Sequence, residues 1–265
     1  MRSFQINVRE KTTEYGFMPT LQLYLLDGQE KRPMVIVVPG GGYMTVSPDE
    51  EKTALQYNAA GFHAAVLNYC VDPHHFPNPQ MDLAEAIRLI RENAEDWSVH
   101  REKIAICGFS AGGHLCASLS TLWNNESLFS QEEINAGLYK PNACILYSAI
   151  LTTEVEHCKK FLCGHVGEEK KENLELAACD KQVNPQTPPT FIFGTYEDKL
   201  TTVENALYYA EALSKNQIPF EIHIFPKGGH CEPWCDEVTW GKAAEGRDYR
   251  TIKLSVEWLM ELFEL

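Results

Sequence analysis

The chain has 265 residues, 44% of them hydrophobic and 23% charged. That balance excludes a disordered or low-complexity chain, and the length suits one α/β domain spanning 1–265, needing no disulfide or metal staple. Thirty-seven acidic residues against 23 basic ones give a net charge of -14. With no basic patch to offset it, neither nucleic acid nor an anionic membrane is an expected partner.

The first 16 residues carry Arg2, Arg9, Glu10, Lys11 and Glu14 and no apolar stretch, so no secretory signal is expected. Apolar runs of strand length then follow at 21–26, 34–38, 64–69, 104–107, 143–149, 190–193 and 220–225. The middle runs are apolar on both faces, as buried parallel strands are. Amphipathic helical patterns lie between and after them. Residues 81–93 place Leu83, Ala86, Ile87 and Ile90 on one face, and 202–216 does the same with Val203, Ala206, Leu207, Ala210 and Leu213. Residues 252–265 close the chain through Leu254, Trp258, Leu259 and Phe263. Such alternation predicts right-handed crossovers and a doubly wound, mostly parallel sheet with helices on both faces. One polar stretch, 151–186, breaks the rhythm and reads as a small helical insertion over the sheet edge, either a lid or a plain connector.

In doubly wound sheets ligands sit beyond the carboxyl ends of the strands, so chemistry is sought just after each apolar run. Gly108-Phe109-Ser110-Ala111-Gly112-Gly113-His114 directly follows the run 104–107 and opens a helical stretch. This is a G-x-S-x-G nucleophile elbow in its strand–turn–helix context, with glycines where side chains would collide with the neighbouring strand and helix. The helix N-terminus sets the Ala111 amide and a positive dipole beside a developing oxyanion. After the run 34–38 come Pro39-Gly40-Gly41-Gly42-Tyr43. Successive glycines let the amides of Gly41 and Gly42 approach an anion, completing an oxyanion hole. A phosphate loop would require a lysine and a serine or threonine after the glycines, and Tyr43 and Met44 are neither.

A serine nucleophile needs an acid and then a histidine further along the chain. His230, in Lys227-Gly228-Gly229-His230-Cys231 just past the last strand, is the expected general base. His63, His100 and His223 stand in strand-like or flanking positions, His114 one turn into the nucleophile helix is expected to pack, and His74, His75, His157 and His165 fall in the wrong order. The acid is sought in Tyr196-Glu197-Asp198-Lys199; Asp198 is preferred for its short reach, with Glu197 the alternative, and either would otherwise cap the next helix. Cysteine and histidine cluster at His157, Cys158, Cys163 and His165 and again at His230, Cys231 and Cys235. Structural zinc usually shows paired spacings of the C-x₂₋₄-C kind in both halves of its site; the first cluster has ligands within reach but no obvious partner pair, and no metal is expected. Nine cysteines in no framework pattern read as reduced thiols, which points to the cytoplasm.

Taken together, the stretches 37–43, 104–114, 188–191 leading to Asp198, 203–207 and 225–230 resemble the esterase/lipase group of the α/β-hydrolase fold. Within that group the chain looks most like bacterial acetyl-xylan-esterase-like carbohydrate esterases, from about residue 34 to the C-terminus. The resemblance implies Ser110, Asp198 and His230 as the triad, the amides of Gly41, Gly42 and Ala111 as the oxyanion hole, and no cofactor. Many relatives carry histidine before the three glycines, where Pro39 stands here, a departure that fits the carbohydrate-esterase branch. Relatives often show Val-Pro where Thr201-Thr202 follow the acid, which is expected to alter loop stiffness and no catalytic atom.

The expected activity is that of a serine carboxylesterase removing acetyl or other short acyl groups from a small ester, such as an acetylated oligosaccharide. The alternatives are hydrolysis of another small ester or amide, as an aryl formamidase does, and a non-catalytic ligand-binding member of the fold. Tyr43, Trp234 and Trp240 are candidates to stack on a sugar or acyl group, and equally candidates for packing. A homodimer is the base-rate expectation for assembly.

Overall fold

The computed structural model describes residues 1–167, 171–231 and 251–265, excluding the side chains of Asp49, Lys171 and Glu172. In chain order the elements are β1 (Arg2–Asn7), β2 (Thr20–Leu25), β3 (Arg32–Val38), α1 (Glu51–Ala59), β4 (His63–Asn68), α2 (Asn78–Glu92), β5 (Val99–Phe109) and α3 (Ala111–Leu122). There follow α4 (Gln131–Asn135), β6 (Ala143–Tyr147), α5 (Glu156–Val166), α6 (Lys171–Ala177), α7 (Cys179–Gln182), β7 (Thr190–Thr195), α8 (Val203–Lys215), β8 (Phe220–Phe225) and α9 (Thr251–Leu262).

The eight strands form one sheet in the order β1-β2-β4-β3-β5-β6-β7-β8. β2 runs antiparallel to β1 and β4, and every other pairing is parallel. Strand alternation sends neighbouring side chains to opposite faces. Met34, Ile36, Ile104, Ile106 and Ile192 therefore pack under α2, α3 and α8, against Leu83, Ile87, Leu115, Leu119, Tyr209 and Leu213. Val35, Val37, Ala105, Cys107 and Phe191 pack on the other face, against Tyr57 of α1 and Val256 and Leu259 of α9. Both faces being covered is why the central runs are apolar throughout.

The register brings the carboxyl ends level. Val38 pairs with Gly108, Phe109 with Tyr147, Tyr147 with Phe193, and Thr195 with Phe225. The loops that follow β3, β5, β6, β7 and β8 consequently leave the sheet at one end, which is what lets residues far apart in sequence meet there.

Three elements were not legible as periodic patterns. β1 is largely exposed, and as an edge strand hydrogen-bonded to β2 it needs no apolar run. α1 mixes buried Thr53 and Asn58 with Ala54 and Tyr57, so its buried face is half polar. α4 is a short helix fixed by a capping box between Ser130 and Glu133.

The insertion is helical, as expected, but it does not lie over the sheet edge. β6 and β7, the strands it joins, are neighbours inside the sheet. Its helices reach back over the carboxyl end, where His165 of α5 stacks on Tyr43 after β3 and the Ala177 carbonyl of α6 meets His114 of α3. The buried side chains Leu162, Val166 and Ala177 give this stretch its own apolar footing, which its polar average conceals. Among the described residues no helix is long and apolar enough to cross a membrane.

Candidate active site

Ser110 sits between the end of β5 and the first residue of α3, with φ 52 and ψ -117. A side chain other than glycine pays for that conformation, and the surroundings hold it. The Ser110 amide donates to the Tyr147 carbonyl at 3.0 Å, and the Ser110 carbonyl receives the His114 amide at 3.0 Å. The turn closes only because Gly108 and Gly112 lack side chains. A Cβ on Gly108 would stand 2.2 Å from the Gly112 carbonyl oxygen, and one on Gly112 would stand 2.2 Å from that of Val38.

The loop after β8 brings His230 over the serine. His230 Nε2 lies 2.8 Å from Ser110 Oγ, and Nδ1 lies 2.9 Å from Asp198 Oδ2. The Asp198 side chain is buried and that of His230 about one fifth exposed. Asp198 Oδ1 accepts the amides of Leu200 (2.8 Å) and Thr201 (2.9 Å), and Oδ2 also accepts the Thr201 hydroxyl at 2.7 Å. Burial pushes the Asp198 carboxyl up, but the hydrogen bonds from His230 and Thr201 outweigh it and hold the group at about 2. An anion fixed at Nδ1 keeps the proton there and leaves Nε2 free to accept from the serine hydroxyl.

Glu197, the alternative acid, is occupied elsewhere. It pairs with Lys227 at 2.5 Å and accepts the Gly228 amide at 3.3 Å. With the Thr195 hydroxyl donating to the Gly228 carbonyl at 2.7 Å, it ties the histidine loop to the end of β7. Beyond the histidine, the Cys231 amide donates to Ser148 Oγ at 3.4 Å. Burial pushes the Cys231 thiol up, so it stays protonated beside the base.

Gly41 and Gly42 lie in the loop after β3, which is pinned by the amides of Thr45 and Ser47 donating to the carbonyls of Gly41 (3.2 Å) and Gly40 (3.0 Å). The Tyr69 hydroxyl adds a bond to the Pro39 carbonyl at 2.7 Å. Gly40 abuts the elbow, since a Cβ there would stand 3.4 Å from that of Ser110. Ala111 is the first residue of α3, so its amide has no acceptor within the helix and points out of its N-terminus.

A family model described as BD-FAE matches residues 21–213, well over half of the chain. The chain belongs to the BD-FAE family. Its fold is that of the α/β-hydrolase esterases. Among curated relatives, this BD-FAE chain is 34% identical over 86% of its length to a Butyrivibrio fibrisolvens protein named endo-1,4-beta-xylanase B. It is 28% identical over 74% of its length to the acetylxylan esterase of Xylanibacter ruminicola. The chain spans 36% and 40% of those two proteins, so each contains much that this one does not match. Among solved structures, the acetyl ester-xyloside bifunctional hydrolase of Caldicellulosiruptor lactoaceticus is similar with a TM-score of 0.84 and 29% identity, covering 99% of this chain and 97% of that one.

Ser110, Asp198 and His230 thus stand in one hydrogen-bonded row, with Ala111 next to the serine in the chain and Gly40, just ahead of Gly41 and Gly42, abutting it. Tyr43 is a correction to the idea of a sugar-stacking loop aromatic: it is 4% exposed and packs in the fold. Its ring lies on that of His165 at 3.6 Å and 8°, and its hydroxyl is 2.6 Å from His114 Nδ1. Trp234 and Trp240 lie outside the described residues. His157 and His165 are in α5. Among the described residues no three His, Cys, Asp or Glu side chains are grouped to hold a metal ion.

Thr201 was missed as a site residue. Its hydroxyl touches the acid directly and lies 3.3 Å from His230 Nδ1, so the exchange at this position concerns more than loop stiffness. The signal was present as an Asp followed three residues later by Thr, a spacing at which a turn folds the hydroxyl and amide back onto the carboxylate.

Proposed function

We propose that this protein is a serine carboxylesterase that removes acetyl and other short acyl groups from small carbohydrate esters through an acyl-enzyme. The observation that carries this reading is the row Asp198–His230–Ser110, at 2.9 and 2.8 Å, with the serine at the head of α3.

In the first step His230 Nε2 takes the Ser110 proton as Oγ adds to the ester carbonyl carbon. Asp198, kept ionised, stabilises the imidazolium without itself accepting the proton. The carbonyl oxygen becomes an oxyanion held by the amides of Gly41, Gly42 and Ala111, each worth about 10²–10³ in rate. As the tetrahedral intermediate collapses, the bond to the alcohol oxygen breaks and Nε2–H protonates it. Water then enters, gives its proton to His230 and displaces Ser110 by the reverse route, releasing the acid.

A short acyl group is supported by Phe161 of α5, whose ring lies beside the oxyanion loop, 3.7 Å from where a Cβ on Gly42 would stand. A carbohydrate alcohol is supported by the acetylxylan esterase and the acetyl ester-xyloside hydrolase to which the chain is similar. The eight described cysteines are all free thiols, six of them buried, which supports a reducing compartment such as the cytoplasm.

The test is steady-state hydrolysis of p-nitrophenyl acetate, butyrate and octanoate by the wild type and by Ser110→Ala, followed by acetate release from acetylated xylo-oligosaccharides. Turnover that falls with chain length and drops by about 10⁴-fold or more in the variant is the expected result. Absence of serine-dependent turnover on every ester overturns the reading.

A further inference from the structure

Tyr43 has no route to a substrate, yet it terminates the loop that carries two of the oxyanion amides. We propose that Tyr43 is a positioning residue: by donating its hydroxyl to His114, it locks Gly41 and Gly42 in the backbone conformation that aims their amides at the oxyanion. The inference rests on the serine esterase reading and deepens it.

Three consecutive residues lie in the left-handed region, with φ of 131 at Gly41, 66 at Gly42 and 57 at Tyr43. Glycine reaches that region freely, whereas tyrosine does so only where its surroundings over-determine it. Here they do. The Tyr43 hydroxyl is 2.6 Å from His114 Nδ1, its ring lies against His165 on one side and meets Tyr69 edge-on at 6.1 Å, and its carbonyl receives the Asp72 amide at 2.8 Å. Removing the hydroxyl bond loosens the strained end of the loop and leaves the backbone bonds to the Gly40 and Gly41 carbonyls to hold the glycines before it.

The direction of that bond follows from the other side of the imidazole. His114 Nε2 lies 2.9 Å from the Ala177 carbonyl, which can only accept, so Nε2 carries a proton. His114 is completely buried, and burial outweighs the Ala177 bond to hold its pKa down at about 4, so the ring is neutral at working pH. Nδ1 is therefore the acceptor and Tyr43 the donor. The phenol stays protonated because burial pushes its ionisation far up.

What the bond joins gives it a function. His114 stands one turn after Ser110 in α3, and its amide holds the Ser110 carbonyl. The hole has two halves, one on the β3 loop and one at the head of α3, and the Tyr43–His114 bond spans them. Both outer supports of the pair, His165 and Ala177, come from the insertion. The insertion therefore braces the oxyanion loop from behind. Since Tyr43 touches no substrate, its loss falls on transition-state stabilisation and leaves ground-state binding nearly unchanged.

Tyr43→Phe keeps the stacked ring and deletes only the hydroxyl. Its kcat for p-nitrophenyl acetate, expressed per site titrated with a fluorophosphonate so that misfolded protein is not counted, should fall about 10- to 100-fold with KM within about twofold. Inhibition by a trifluoromethyl ketone, whose hemiketal oxygen occupies the same hole, should weaken by the factor lost in kcat/KM. His114→Leu strands the phenol, and Tyr43→Phe in that background removes the stranded group, so the double variant should be no slower than His114→Leu alone. An unchanged kcat per site in Tyr43→Phe, an unchanged ketone affinity, or losses that multiply in the double variant each overturn the proposal. A wild type without Ser110-dependent turnover overturns the esterase reading and takes this inference with it. A normal wild type beside a normal Tyr43→Phe overturns this inference alone.

Discussion

The Thr201 hydroxyl donates to Asp198 Oδ2 at 2.7 Å, onto the same oxygen that receives His230 Nδ1. Two donors on one oxygen fix the carboxylate plane, and with it the imidazole. Thr201→Val removes one charge-assisted bond from a buried anion and should lower kcat/KM for p-nitrophenyl acetate by about tenfold. Thr201→Ser restores the hydroxyl and should recover most of the loss. Equal rates in all three proteins would show that the threonine serves only the turn.

Phe161 Cε2 stands 3.7 Å from a Cβ position on Gly42, which puts its ring beside the loop that would hold the oxyanion. Phe161→Ala opens that side of the loop. Each additional buried methylene is worth about 0.8 kcal/mol and butyrate has two more than acetate, so the butyrate-to-acetate ratio of kcat/KM should rise by about 4- to 15-fold. An unchanged ratio places the acyl group on another wall.

Gly112 and Gly164 make a matched pair of glycines inside helices. A Cβ at Gly112 falls 2.2 Å from the Val38 oxygen and 2.3 Å from that of Pro39, both backbone, whereas one at Gly164 meets nothing within 4 Å. Gly112→Ala should cost more than about 4 kcal/mol or abolish soluble expression, while Gly164→Ala should be neutral or stabilise by up to about 1 kcal/mol. Urea midpoints of the two variants decide it, and comparable midpoints would contradict the close approach of α3 to β3.

Acid should destabilise the fold well before the carboxylates titrate. His114 is held down at about 4 by burial, and burial also lowers His165 and His63. Above pH 6.5 these rings are neutral in both states and the stability is fully present. As pH falls below 6.5, the unfolded chain binds protons that the folded chain refuses, at about 1.4 kcal/mol per pH unit per histidine, until the folded value is reached. Asp82 and Asp180, raised by burial, act in the opposite sense nearer their own range. The melting temperature should therefore fall steadily as pH drops from 6.5 to 5. A flat profile there would mean that the buried rings take up protons in the folded state.

The elbow was legible because its constraints are local: two glycines, a strained serine and a helix start lie within five residues. The strands that became β3, β5, β6 and β7 were legible because burial on both faces writes an uninterrupted apolar run. β1 left no such mark, since an exposed edge strand is held by backbone bonds to β2 rather than by its side chains. The insertion is legible as helical but its place over the sheet is not, because chain order does not say where the two strands it joins lie in the sheet.

The elbow motif nominates Ser110, and chain order with strand position then nominates Asp198 and His230, since parallel crossovers bring every strand's carboxyl end to one side of the sheet. Tertiary structure decided what each neighbour touches. Tyr43 turned inward because a buried histidine on α3 offered an acceptor 71 residues away, and an imidazole from α5 offered a face. Glu197 went to Lys227 and Asp198 to His230 because adjacent residues in a turn point apart. Backbone strain and apolar periodicity are written in a few consecutive residues; the partner of a side chain is settled only when segments distant in sequence pack together.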